Sequence, residues 1–178
     1  MLFRSLYALI ICLGPVSGAQ FNPVVTIALA TGGVMPWRRV ASYVAAQCAG
    51  AVFGVWLAHA MFGLPLLQAS THIRSTSGEW LGEVIATFGL IAIIESLRRR
   101  ASVNLPGAVA LYIVGAYWFT SSTSFANPAV TLARAMTDTF AGIAPASVLA
   151  FIIAQSTGGS LAVLFVRWLE LGASRRAN

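Results

Sequence analysis

Lysine is absent from this chain, acids number five, and charged residues make up 9% of its 178 positions. A soluble domain carries roughly 25%, so a charged, water-facing surface is excluded. Hydrophobic content of 58% and a mean hydropathy of +0.81 describe an integral membrane protein. Cysteine is scarce: Cys12 and Cys48 both sit in apolar runs. That argues against a disulfide framework or thiolate metal site and leaves small apolar filler. Histidine is equally rare, and His59 and His72 are too isolated to make a metal site. No phosphate-binding glycine loop, nucleophile elbow or metal-spaced cluster occurs, and Ser121 to Ser124 lack a general base. Neither an enzyme nor a metal or cofactor is expected.

The net charge of +6 comes entirely from arginine. In a soluble protein it would suggest nucleic acid. Here Arg38-Arg39, Arg98-Arg99-Arg100 and Arg175-Arg176 flank apolar spans, so the charge reads as topology and no nucleic-acid partner is expected. Placing 98–100 in the cytoplasm puts eight of the eleven arginines on that side. The opposite orientation leaves only Arg4 and Arg74 inside, so the first is expected.

The apolar stretches are long and do not alternate with polar residues, so they read as helices rather than barrel strands. Residues 2–14 are apolar but short for a crossing, with a turn expected at 15–21 from Gly14-Pro15 and Ser17-Gly18. Full crossings are expected at 40–62, 79–97, 105–121 and 146–168. Two stretches are too short to cross: Asn22 to about Thr31, and Asn127 to about Met136.

Those two stretches are copies. Asn22-Pro23-Val24-Val25-Thr26-Ile27-Ala28-Leu29-Ala30 returns as Asn127-Pro128-Ala129-Val130-Thr131-Leu132-Ala133-Arg134-Ala135, with six of nine positions identical. Asn caps a helix, and Pro at the first helical position has no N–H to leave unpaired. A second element repeats in register: Ala46-Gln47-x-x-Gly50 matches Ala154-Gln155-x-x-Gly158, 108 residues apart against 105 for the asparagines. An odd number of crossings separates the copies, so they enter from opposite faces as an inverted repeat. The small-residue faces read as close helix packing, with a lumen-lining role for the glutamines as the alternative.

Non-spanning backbone at membrane depth survives only inside protein or along a water-filled cavity. Two half-helices entering from opposite sides bring their N-termini together near the midplane, each carrying about half a positive charge. The asparagine amides can donate to a solute oxygen, and loop carbonyls at 17–21 and 121–126 can accept its protons. A cation meets two positive dipole ends and no carboxylate, an arrangement that bars protons and cations. The pattern points to passive flow of uncharged solutes.

Ser17-Gly18-Ala19-Gln20-Phe21-Asn22-Pro23-Val24-Val25-Thr26 and Ser124-Phe125-Ala126-Asn127-Pro128-Ala129 resemble the two signature loops of the aquaporin and aquaglyceroporin family, the major intrinsic proteins. The resemblance covers nearly the whole chain. It implies an all-α membrane protein: a right-handed helical bundle with two re-entrant half-helices, one channel domain over 1–178, and a homotetramer. Residues 1–62 are expected to form an incomplete first repeat and 79–168 the second. The family has six full crossings where five are expected here, the short 2–14 span counted among them. By resemblance Asn22, Asn127, Val24 and Ala129 line the meeting point, and Glu83 braces a pore loop.

Filter positions fall on Gly115, Ser124 and Val130, and on Leu2 by gapless counting. Val130 stands where water-selective members carry arginine. A filter so lined is wide and apolar, suited to glycerol-like polyols, urea, water, or undissociated metalloid hydroxides such as arsenous acid, as in bacterial members of this type associated with arsenic handling. Gln20 replaces a histidine common before the first motif. Val24 adds two methyl groups where the half-helices should abut. Arg134, four residues after Val130, is expected to brace the mouth by pairing with Asp138, against a reading as a displaced mouth cation. Glu95 is expected to pair with Arg98 and Arg99.

The expected location is a bacterial inner membrane, with lipid as the surrounding partner. Three rivals remain at this stage. One is an N-terminally truncated, non-conducting fragment or assembly-only subunit. Another is a secreted product cleaved after MLFRSLYALIICLGPVSGA, which the later crossings oppose. The third is a coupled transporter, for which Glu83 and Glu95 are the available intramembrane acids.

Overall fold

The computed structural model describes residues 2–100 and 102–177, and the side chains of 5–100 and 102–172. The described chain is all helical: α1 (Leu2–Ser17), α2 (Pro23–Thr31), α3 (Val40–Met61), α4 (Ser77–Arg99), α5 (Leu105–Phe119), α6 (Pro128–Arg134) and α7 (Pro145–Ala177). Three helices are long and apolar enough to cross a bilayer, Trp37–Met61, Ser77–Arg99 and Pro145–Gly172. α1 and α5 are apolar but shorter, with 16 and 15 residues, or about 24 and 22 Å at 1.5 Å per residue. α2 and α6, at 9 and 7 residues, reach about 14 and 10 Å, half or less of a hydrocarbon core of about 30 Å.

Several helix ends differ from the sequence expectation: α5 and α6 stop a turn or less early, α7 runs on to Ala177, and α1 runs into the expected turn. α1 runs through Gly14-Pro15 to Ser17, because Pro15 needs no N–H partner and the Gly18 N–H still reaches the Gly14 carbonyl at 2.8 Å. Transmembrane helices tolerate proline where its neighbours re-satisfy the backbone. Elsewhere the ends carry their signals. Thr76 and Glu79 form a reciprocal capping box on α4.

The core gathers around α2. Val24, Val25, Ala28 and Leu29 pack with Ala86, Leu90, Ile91 and Ile94 of α4, Val109 and Ala116 of α5, and Ala162 of α7. α4 and α7 form the most extensive helix pair. A Cβ added at Gly158 of α7 would run into the Val84 carbonyl of α4, and one at Gly159 into Val24. These glycines let the backbones approach closely. Outward-facing Leu111, Trp118, Leu164 and Trp168 are exposed, as a lipid-facing surface requires.

The two ends of the bundle differ. At one end Arg98 and Arg99 pair with buried Glu95, Arg99 reaches Glu170, and Arg167 donates to the Thr31 carbonyl of α2 at 2.6 Å. This is the arginine-rich side assigned to the cytoplasm. At the other end, the 64–76 loop meets 135–144 through Ser70, Thr71, Arg74, Asp138 and Gly142. His59, isolated in the sequence, is buried there between Thr137 (2.9 Å) and the Leu66 carbonyl (3.1 Å).

Candidate functional site

Asn-Pro starts both half-helices as the sequence requires. Asn22 Oδ1 accepts from the Val24 N–H at 3.0 Å, and Asn127 Oδ1 accepts from Ala129 at 3.0 Å and Val130 at 3.3 Å. Each cap leaves its amide nitrogen free to donate, and the two donate crosswise. Asn22 Nδ2 reaches the Ala126 carbonyl at 2.7 Å; Asn127 Nδ2 reaches the Phe21 carbonyl at 2.9 Å. The acceptor in each case is the residue just before the other asparagine. The half-helices therefore meet tip to tip, cross-linked by a reciprocal pair.

The approach loops obey the same symmetry. Ala19 and Phe21 have φ of 45° and 49°; Ser124 and Ala126 both have 48°. In each loop these are the positions three and one before the asparagine. A left-handed conformation costs an L-residue roughly 1–2 kcal/mol. Four such residues persist because the crosswise asparagine bonds and the braces below fix them.

On the second loop that brace is Glu83 of α4. Its fully buried carboxylate accepts from the Phe125 N–H (2.8 Å), the Ala126 N–H (2.8 Å) and Gln155 Nε2 (2.6 Å). Consecutive N–H groups converging on one anion are an efficient cradle for charge. Gln155 continues to Thr131 Oγ1 at 2.8 Å, tying α7 to the half-helix α6. The first loop has half of this. Gln47 of α3 donates to Thr26 Oγ1 at 2.8 Å, and Thr26 donates to Gln20 Oε1 at 2.6 Å. Among the described residues no acceptor reaches the N–H groups of Gln20 and Phe21, the counterparts of Phe125 and Ala126. Beside them, a cavity of ≈ 630 Å³ is lined by Ser17, Gln20, Phe21, Tyr43, Gln47 and Gly50, among others. Gly50 there has no atom near its Cβ direction, where its twin Gly158 is pressed against α4.

The remaining sequence-selected residues are placed as follows. Val24 and Ala129 are both buried at the second position of their helices, and Val24 packs against Gly159. Ser124 is buried with its hydroxyl unpartnered among the described residues. Val130 and Gly115 are half-buried, and a Cβ on Gly115 would meet only the Phe119 ring at ordinary contact distance. The Leu2 side chain lies outside the described residues. The pairing of Arg134 with Asp138 is corrected: α6 ends at Arg134, so helical i+4 spacing does not apply, and Asp138 instead accepts from Thr71 N–H (2.7 Å) and Oγ1 (2.9 Å). Those bonds hold its carboxyl below the ordinary range. The glutamines also tether the half-helices, while Gly158, three residues after Gln155, packs closely against α4 and Gly50 faces open space. Among the described residues no group of three or more His, Cys, Asp and Glu is arranged for a metal.

The family model named "Major intrinsic protein" matches residues 3–124. "Aquaglyceroporin AqpS" of Rhizobium meliloti (strain 1021) is 49% identical over 164 residues, covering 92% of this chain and 70% of that protein. "Aquaporin NIP1-1" of Zea mays is 36% identical over 107 residues, 56% of this chain and 36% of its own length. "Aquaporin NIP1-3" of Oryza sativa subsp. japonica is 35% identical over 134 residues, 69% of this chain and 46% of its own length. This chain thus spans less than half of either plant relative.

Proposed function

This chain belongs to the major intrinsic protein family and is a membrane channel for small solutes rather than an enzyme; from that premise we propose that it passes neutral, hydrogen-bonding solutes of glycerol size passively across a bacterial inner membrane. The crosswise pair Asn22–Ala126 and Asn127–Phe21 carries the reading. It sets two positive helix ends at one point without a carboxylate free to attract a cation. Solute oxygens accept from the asparagine amides; solute hydroxyls donate to the loop carbonyls. Val24 and Ala129 shape the meeting point. Glu83 braces the second loop.

Val130, Ser124 and Gly115 set the bore in this reading. A valine, a small hydroxyl and a glycine leave it wide and mostly apolar, so glycerol, urea and arsenous acid are the proposed solutes alongside water. The name of the Rhizobium relative, an aquaglyceroporin, supports the polyol member of that set. Residues 1–62 and 79–168 act as inverted repeats of one channel domain, and four copies assemble. The test is swelling of reconstituted vesicles in glycerol, urea or arsenous acid against empty vesicles, with sorbitol as the impermeant control. Faster swelling in at least one solute is expected. Rates equal to empty vesicles for all three would refute conduction.

One observation favours a second reading. The open cavity along α3 leaves the first loop less enclosed than the second. A subunit that assembles without conducting fits that asymmetry, and the same null swelling result would select it.

A further inference from the structure

The chain has five acids; among the described residues none forms an ion pair with Arg134, and Glu83 acts on it only through space. Glu83 holds the second loop and Gln155. Glu79 caps α4 and faces Arg74 at 3.9 Å. Asp138 is taken by Thr71. Glu95 and Glu170 lie at the opposite end with Arg98 and Arg99. Among the described residues the Arg134 side chain has no hydrogen bond and no ion pair. It is half-buried, and none of its nitrogens is fully sealed from the surface.

Its position is fixed by a ring. The guanidinium carbon lies 4.2 Å from the centroid of Phe125, which is itself buried and set edge-on against Phe151 at 5.3 Å. A cation over an aromatic face is held electrostatically. Arg74 approaches the same ring at 5.1 Å, but its nitrogens are spent on the carbonyls of Gly142 (2.8 Å), Phe140 (3.2 Å) and Ser122 (3.5 Å). Of the two guanidiniums at Phe125, one is a latch and the other has its donors to spare. Helical side chains lean back toward the N-terminus. Arg134 lies four residues after Val130, so the two share a face of α6.

We propose that Arg134 is a specificity-determining cation at the outer mouth of the pathway, donating charged hydrogen bonds to the oxygen of a passing neutral solute and turning back small cations. The proposal rests on the channel reading above. An ionisable group at membrane depth faces the bundle interior or a water-filled cavity and marks a solute pathway, and a fixed arginine is a known form of barrier to cations. Val130 supplies neither charge nor donor. Arg134 supplies both from one turn away.

Two measurements test it. In the first, Arg134→Cys is exposed in vesicles to a water-borne, sulfonate-bearing thiol reagent, with wild type setting the background from Cys12 and Cys48. Labelling at position 134 is expected; an inert thiol overturns the proposal. In the second, Arg134→Met and Arg134→Lys are compared with wild type for glycerol, water and methylammonium flux at equal insertion. Loss of one charged hydrogen bond corresponds to about a tenfold change. Arg134→Met is expected to lower the glycerol-to-water ratio about tenfold and admit methylammonium, while Arg134→Lys keeps methylammonium out. Unchanged ratio and exclusion in Arg134→Met overturn the proposal even if the thiol is labelled. A wild type with no solute flux removes the channel reading itself, and the labelling result still decides whether position 134 faces water.

Discussion

Glu83→Gln isolates the charge of the brace while keeping its shape. The carboxylate accepts three hydrogen bonds, from Phe125 N–H, Ala126 N–H and Gln155 Nε2, at 2.6–2.8 Å. Bonds to a charged acceptor contribute about 1.5–3 kcal/mol each. Glutamine with its amide oxygen where Oε2 stands keeps the bonds from Ala126 N–H and Gln155, but it turns an NH₂ toward the Phe125 N–H, so one of the three bonds is lost and two donors face each other. Removing a buried charge also relieves desolvation. The net loss is about 1–3 kcal/mol. It falls on a loop already holding left-handed Ser124 and Ala126, so the loop moves before the helices separate. Solute flux is therefore expected to fall at least tenfold in swelling assays, with a lower unfolding midpoint on titration with denaturing detergent. A variant with wild-type flux and wild-type midpoint would refute the reasoning.

Other consequences are equally specific. Val130→Arg is expected to narrow the bore and reduce glycerol flux more than water flux in parallel vesicle assays; equal reductions would remove Val130 from the filter. Gly158→Ala is expected to cost about 1–3 kcal/mol through overpacking against the Val84 carbonyl, whereas Gly50→Ala, facing open space, is expected to be neutral or mildly stabilising. Chemical denaturation of both separates them, and similar losses would contradict the asymmetry between α3 and α7. Asp138 has a depressed folded pKa, so its contribution is present above the ordinary carboxylate range and is lost as pH falls through the folded value. Asp138→Asn is expected to flatten the acid limb of a stability–pH profile, and superimposable limbs would dismiss the Thr71 contact as a source of stability.

The half-helices were legible because their signal is local. Asn followed by Pro fixes a cap and a first turn within a few residues, and the second copy sets the register of the repeat. Glu83 became legible through resemblance, since one acid in an apolar run does not announce which N–H groups it meets. What stayed hidden is long-range. The Asn22 amide finds the carbonyl of Ala126, 104 residues away, and no spacing rule encodes that. The Arg134–Asp138 expectation failed because i+4 reasoning assumes a continuing helix, and α6 stops at Arg134. The tethers from Gln47 to Thr26 and Gln155 to Thr131 had a signal after all: each glutamine repeats in register with a threonine on its half-helix, so a paired role could have been read from the two copies together.

The most direct measurement is glycerol flux through vesicles carrying equal inserted amounts of wild type and of an Asn22→Ala, Asn127→Ala double variant. Wild type is expected to shrink and reswell well above the empty-vesicle rate, and the double variant, stripped of both crosswise amides, to fall to or near it. Equal glycerol flux in the two proteins would contradict a pathway organised by the meeting of the two half-helix tips.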